Sequence, residues 1–219
     1  MEYRDTSVES IGLFIDGGYY AKVNESLEKY HSKNINMTAL MAYIRGYVSG
    51  LSGKDIAACH ITESHYFRGR YRAGKATHKH LLYEERQFED SLIENDVIFH
   101  YKHLRDITES DGSVTVIEKG IDVWFALEAY ELATIRRFDF VVLITGDADH
   151  EMLIRKLKAL KIPVILLTWD VSKDQISSTA PLLREEACIH VELSKKIAED
   201  YSLMNKLCRD VSNKHADAK

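Results

Sequence analysis

Two hydrophobic runs in this chain stop at a carboxylate beside glycine. Val141-Val142-Leu143-Ile144-Thr145-Gly146-Asp147-Ala148-Asp149 breaks at one glycine and delivers two carboxylates two residues apart. Ile11-Gly12-Leu13-Phe14-Ile15-Asp16-Gly17-Gly18 follows the same plan near the start of the chain. A short apolar run bounded by glycine reads as a strand buried on both faces, with the acid at its end or just beyond. In an open parallel sheet the carboxyl ends of the strands line one edge, and ligands bind there. Acids gathered at that edge repel one another unless a hard cation neutralises them. The pattern therefore points to a divalent-metal site.

Strand and helix patterns alternate along the rest of the chain. Helices are expected at about 19–30 and 37–49, the second introduced by Asn36-Met37-Thr38. A strand near 56–66 leads into a glycine-punctuated basic loop, Arg68–Ala76, and Thr77 caps a helix to about 95. A strand at 96–101 and a hairpin at 104–118, turning at Asp111-Gly112, come next. Ile121–Arg136 is a helix apolar on most sides and is expected to be largely buried. Strand 140–145, helix 149–161 with Leu153, Leu157 and Leu160 on one stripe, and strand 163–168 follow. A polar loop at 170–179, a short helix at 180–187, a strand at 188–192 and a terminal helix to about 209 complete the reading. The tail from Asp210 reads as disordered. Such alternation predicts an α/β fold of three layers with a mainly parallel central sheet. The expected organisation is an extension at 1–10, one domain at 11–195, and a C-terminal helix and tail at 196–219; Pro163 and Pro181 hint at no second domain.

A chain of 219 residues can bury a sizeable core as one large domain, and 45% hydrophobic with 29% charged residues is ordinary globular composition. A net charge of −5 argues against wholesale polyanion binding and leaves room for a local basic patch. Cys59, Cys188 and Cys208 have no metal-type spacing and fit a reduced, cytoplasmic setting. No apolar run reaches the ~18 residues of a membrane span, and Met1–Ser10 carries four charges and no hydrophobic leader core.

A third acid stands in Glu118-Lys119-Gly120-Ile121-Asp122-Val123, where Asp122 falls in the first turn of a helix. Each acid alone has a plain structural reading as a helix cap or a partner of the helix dipole. Three acids entering one sheet edge from different elements are hard to explain as three independent caps. Asp16, Asp122 and Asp147 are therefore expected as metal-holding and catalytic residues, with Asp149, which also suits an N-cap. Oxygen ligands of this kind hold Mg²⁺ or Mn²⁺ and leave room for water and substrate phosphates. No serine, cysteine or histidine stands in a nucleophile's setting, so hydrolysis by metal-activated water is the economical reading. His150 reads as a helix-surface residue. Between Glu63 and Glu84 there is no acid, while Arg68, Arg70, Arg72, Lys75 and Lys79 are interleaved with Tyr66, Phe67 and Tyr71. Cations contact phosphates and aromatic planes stack on unpaired bases, so Arg68, Arg70, Arg72 and Lys75, with Lys119, are the expected nucleic-acid contacts. A solvated basic loop is the plain alternative, and Lys119 fits a solvated hairpin equally well.

The phrases Phe14-Ile15-Asp16-Gly17-Gly18, Lys119-Gly120-Ile121-Asp122-Val123 and Thr145-Gly146-Asp147-Ala148-Asp149 resemble, in order and spacing, the motif blocks of NYN domains of the LabA-like group, in the PIN-like nuclease superfamily. The resemblance runs through Arg155-Lys156-Leu157-Lys158-Ala159-Leu160 to Pro181-Leu182-Leu183-Arg184 and covers roughly 10–195. It implies a Rossmann-like PIN fold and a metal-dependent, ribonuclease-type site of acids matching Asp16, Asp122, Asp147 and Asp149. The family commonly has asparagine three residues after the first acid, where this chain has Tyr19, so a polar orienting group is lost or replaced. Asn24 lies a turn further on. The leading reading is a metal-dependent (endo)ribonuclease acting on single-stranded or structured RNA. The alternative is a non-catalytic, RNA-binding or regulatory module, which Tyr19 favours. A phosphorylatable receiver needs a lysine after a late strand, and Leu166-Leu167-Thr168-Trp169-Asp170 offers none. Tyr43 and Tyr47 suit either a homodimer contact or core packing.

Overall fold

Five consecutive residues of β1 (Glu9–Asp16), Ile11 to Ile15, are buried, as the uninterrupted apolar run requires of a strand covered on both faces. The computed structural model describes residues 7–70, 79–108, 113–170 and 179–211. After β1 come α1 (Gly17–His31), β2 (Lys33–Ile35), α2 (Met37–Ser52), β3 (Cys59–Arg70), α3 (Lys79–Glu94) and β4 (Ile98–His103). The hairpin strands β5 (Arg105–Thr108) and β6 (Val114–Ile117) lead to α4 (Ile121–Arg136) and β7 (Phe140–Ile144). A single 3₁₀ turn, Ala148–His150, precedes α5 (Glu151–Ala159), β8 (Val164–Thr168), α6 (Pro181–Glu186) and β9 (Ile189–Glu192). The described chain ends in α7 (Leu193–Glu199), α8 (Ser202–Leu207) and β10 (Cys208–Asp210). Asn36 caps α2 as its position suggested, its side-chain oxygen accepting from the Ala39 N–H at 3.2 Å.

The central sheet has six strands in the order β4-β3-β1-β7-β8-β9, and all five pairings are parallel. From β1 the chain winds outward through β3 to β4, then returns and winds the other way through β7 and β8 to β9. The reversal falls between β1 and β7, with Ile15 paired to Ile144 at the seam. A crevice at the carboxyl end of such a switch point is where an open α/β sheet accepts ligands.

Alternate strand residues enter two cores. Ile11, Leu13, Ile15, Val142, Ile144, Ile165 and Leu167 face α1, α2 and the C-terminal helices. Phe14, Val141, Leu143, Val164 and Leu166 face α4, α5 and α6. Tyr43 and Tyr47 stack at 6.2 Å between ring centres and pack against the first core.

The structure corrects the sequence reading in several places. Helix α4 is not buried all round: Ile121, Phe125, Ala129 and Ala133 face the sheet, while Val123, Leu127 and Ile135 are more than 60% exposed. A helix laid on the outside of a sheet hides one stripe only. Leu160 lies beyond α5 and is exposed, unlike Leu153 and Leu157. β3 runs on to Arg70, so Tyr66 and Phe67 are fully buried, one in each core, and neither can stack on a base. The terminal helix is two short helices followed by a strand, with β10 pairing antiparallel to β2 through Cys208 and Ile35. Ile197, Met204, Leu207 and Cys208 belong to the first core, so the segment after 195 packs into the domain. Asp210 is held by Lys33 at 2.6 Å. Thr77, the Asp111-Gly112 turn, the 171–178 part of the polar loop and the tail from 212 lie outside the described residues. No described helix is long and apolar enough to cross a membrane.

Leu207 is 2% exposed. Leu207→Ala should lower unfolding stability by about 2–4 kcal/mol, as truncation of a well-enclosed leucine does, in a urea titration followed by circular dichroism. An unchanged midpoint would make the C-terminal helices accessory.

Candidate metal centre and cationic rim

Asp16 ends β1 and caps α1. Its Oδ1 accepts the Tyr19 N–H at 3.0 Å and its Oδ2 accepts the Thr145 hydroxyl at 3.0 Å. Thr145 is fully buried just past the end of β7, and its Oγ1 also accepts the Asp147 N–H at 3.2 Å. Asp147 caps the 3₁₀ turn, its Oδ1 taking the Asp149 N–H at 3.0 Å. One hydrogen-bonded chain thus crosses the β1–β7 seam and orients two carboxylates. Both acids are helix caps, as the plain reading held, and their capping is what aims them.

Asp122 enters from α4. The cap position there is Gly120, at φ +80°, which makes no side-chain cap bond and leaves the Asp122 carboxylate to face the seam. Its carboxyl is raised above the usual range, first by burial and then by Asp16 and Asp147, with His150 opposing. Glu118 behaves alike: burial raises its carboxyl, Asp16 and Asp122 raise it further, and the Gly69 N–H and Arg68 oppose. Asp16, Asp122, Asp147 and Glu118 therefore share one electrostatic neighbourhood. Glu118 was missed although it stands in the same phrase as Asp122. An acid at the end of an exposed hairpin strand carries no local sign that it turns back over Gly69.

Among the described residues, no three His, Cys, Asp or Glu side chains close on one point as metal ligands. Oxygens of Asp16 and Asp147 are engaged by N–H and O–H donors. Asp149 is exposed, and its N–H rather than its carboxylate joins the network. His150 departs from the surface reading: it is 1% exposed, packed on Phe125 at 4.4 Å between ring centres, and close enough to act on Asp122. Asn24 serves elsewhere, accepting the Ile35 N–H at 2.8 Å.

Because β3 is parallel to β1 and pairs Phe67 with Asp16, half-buried Arg68 falls beside the acids. It bonds to Tyr66 and acts on Glu118. Arg70 is turned away, bridging Glu85 and Glu89 of α3 at 3.4 and 3.2 Å and lying over the Tyr101 ring at 5.2 Å. Lys119 is exposed next to Glu118. Lys102, which the sequence did not single out, sets its ammonium over Gly120, where an added Cβ would lie 2.8 Å from it. Arg72 and Lys75 lie outside the described residues. The rim seen here is Arg68, Lys102 and Lys119.

A six-stranded parallel sheet that reverses at β1–β7 with helices on both faces is a Rossmann-like α/β arrangement. The NYN domain family model matches residues 10–192, so the chain belongs to the NYN family, within the PIN-like superfamily. No protein of curated function matches the chain. A crystal structure of a protein of unknown function from Vibrio parahaemolyticus RIMD 2210633, VPA0982, is similar in fold: TM-score 0.55, 18% identity, 88% of this chain and 96% of that one.

An acid whose carboxyl is raised by folding holds its proton more tightly in the native state. Stability is then lost as pH rises through the carboxylate range. Asp122→Asn removes that cost. At neutral pH it should raise Tm by about 2–4 °C, the shift that about 1 kcal/mol gives a chain of this length. The gain should shrink as pH falls through the raised carboxyl and be gone below about pH 4, where Asp122 is protonated in the folded and the unfolded chain alike. A variant less stable than the parent at pH 7 in a thermal scan would refute the electrostatic account.

Proposed function

We propose that this protein is a metal-dependent ribonuclease that hydrolyses RNA phosphodiester bonds. The reading rests on one observation: Asp16, Asp122, Asp147 and Glu118 come from four places in the chain to the switch-point crevice, where burial and the neighbouring acids raise the carboxyls of Asp122 and Glu118. Such a surplus of negative charge is what a hard cation relieves, and the all-oxygen donor set suits Mg²⁺ or Mn²⁺. Asp16, Asp122 and Asp147 would hold the ion, with Asp149 within the same loop. Bound there, it supplies charge neutralisation and a water of lowered pKa as nucleophile. Thr145 and the Tyr19 N–H keep Asp16 in one rotamer, and the Asp149 N–H does the same for Asp147. His150 and Phe125 close the floor beneath Asp122 and exclude solvent from that side. Arg68, Lys102 and Lys119 draw the RNA phosphates to the acids, which would otherwise repel them. A regulatory RNA-binding module is the second reading. It is favoured by Tyr19, whose side-chain hydroxyl is taken up by the Trp169 backbone.

Asp147→Asn separates the two. It keeps the size of the side chain and removes the charge, so Mn²⁺-dependent cleavage of RNA should fall at least about a hundredfold. RNA affinity should hold or rise, since an anion facing phosphates has gone. Undiminished cleavage by the purified variant would remove Asp147 from the site. A wild-type protein that binds RNA and never cleaves it with Mn²⁺ or Mg²⁺ would establish the binding module.

The rim is tested through salt. Arg68→Ala with Lys119→Ala should weaken RNA binding and flatten the log–log salt dependence by about 1–2, because each lost phosphate contact releases one fewer counterion. The parent's slope in the double variant would make the rim a bystander.

A further inference from the structure

We propose that Tyr19 is a positioning residue: its ring fixes the Gly146–Asp147 segment and thereby aims the Asp147 carboxylate. The inference rests on the reading of Asp147 as an acid of the site. Tyr19 stands in the first turn of α1 and is 7% exposed. Its hydroxyl donates to the Trp169 carbonyl at 3.0 Å and accepts the Trp169 N–H at 2.8 Å, a clasp on the backbone just past β8. Burial pushes the hydroxyl up to about 12, which keeps it a neutral partner in both bonds.

The ring does the second part. A Cβ at position 146 would lie 2.7 and 3.0 Å from Cε2 and Cδ2 of Tyr19, closer than side-chain carbons approach one another. Gly146 is not among the positive-φ glycines, so its backbone conformation is open to any residue. The glycine is required by the ring and by nothing in its own dihedrals. The same segment is held from two other sides. The Gly146 carbonyl accepts the Ala180 N–H at 3.2 Å, and the Asp147 N–H donates to Thr145 at 3.2 Å. Tyr19 thus ties together the ends of β1, β7 and β8, the three strands whose loops frame the crevice. Its backbone N–H bonds Asp16 whatever side chain stands at 19, so the ring's own effect runs through the segment it braces. Displacement of a reacting group by about 1 Å can cost on the order of a hundredfold in rate.

The test is a double-mutant cycle of Gly146→Ala, Tyr19→Ala and the two combined, in the full chain. Mn²⁺ affinity by calorimetry, kcat and KM on RNA, and thermal stability are measured for each. Gly146→Ala should lower Mn²⁺ affinity at least about tenfold and kcat on the order of a hundredfold, with KM little changed. On the Tyr19→Ala background the same methyl meets no ring. The combined variant should then recover at least about tenfold of the kcat lost by Gly146→Ala alone, and with it Mn²⁺ affinity. Tyr19→Phe keeps the ring and loses the clasp, so it should cost stability while holding Mn²⁺ affinity within about threefold of the parent. Additive losses in the cycle would overturn the proposal. So would a cycle that couples in stability while Mn²⁺ affinity stays the same in every folded variant, for that is the mark of packing alone. A parent that binds no Mn²⁺ would overturn the nuclease reading instead, and the stability cycle would still decide whether ring and glycine are matched.

Discussion

Two adjacent parallel strands that end side by side force the loops beyond them into one crevice, and here both loops carry acids. The sheet gains its stability from burying Ile11 to Ile15 against Val141 to Ile144, and those contacts fix where Asp16 and Asp147 emerge. Repulsion between like charges is therefore imposed by the core and has to be met locally. It is met with hydrogen-bond donors. Asp16 takes a helix N–H and a buried hydroxyl, and Asp147 takes an N–H of the next turn. The Tyr19 N–H sits in the first turn of α1, where the aligned peptides also favour negative charge. Asp122 takes its own backbone N–H, yet burial and the charges of Asp16 and Asp147 still raise its carboxyl.

The placement of Asp122 depends on how α4 meets the sheet. Phe125 packs on Phe67 at 5.1 Å and on Phe14 at 6.4 Å between ring centres, both edge to face, and His150 closes on its other side at 4.4 Å. Pairs of this kind contribute about 0.5–1.5 kcal/mol each beyond the area they bury. Along the same helix Trp124 meets His100 edge-on, and His100 stacks on Phe67 at 4.3 Å. Burial holds both His65 and His100 towards the neutral form, which leaves an acceptor nitrogen for the 2.9 Å contact between their rings. The aromatic layer under α4 is thus a rigid seat for the helix that carries the third acid.

What the sequence disclosed follows from how local each signal is. The β1 and β7 runs carry their own boundaries, an apolar stretch closed by glycine, so strand ends and acids were legible together. The same locality explains the alternation of layers and the place of Asp122 at a helix start. Pairing of β2 with β10 could not be read, because three-residue strands some 175 positions apart have no period to recognise. Glu118 and Lys102 owe their roles to the fold of the hairpin base over Gly69 and Gly120. His150 beside an acid looked like a surface residue, and only the approach of Phe125 from another helix buries it. Tyr66 and Phe67 looked like loop aromatics because β3 continues four residues past its expected end, and strand parity then sends one into each core.

The cations divide by the same logic. Arg70 looked equivalent to Arg68 in the sequence, yet a strand points residues two apart to the same face and a neighbouring helix decides what they meet. Arg70 reaches Glu85 and Glu89 on α3, and its charge is spent inside the domain. Arg68 comes out next to the residue paired with Asp16, and its charge offsets that of Glu118. Lys102 and Lys119 flank the turn into α4. A chain of net charge −5 therefore keeps positive groups beside these acids. That juxtaposition lowers the cost of assembling the carboxylates in the resting protein, and it gives an incoming phosphate a first contact before it meets them.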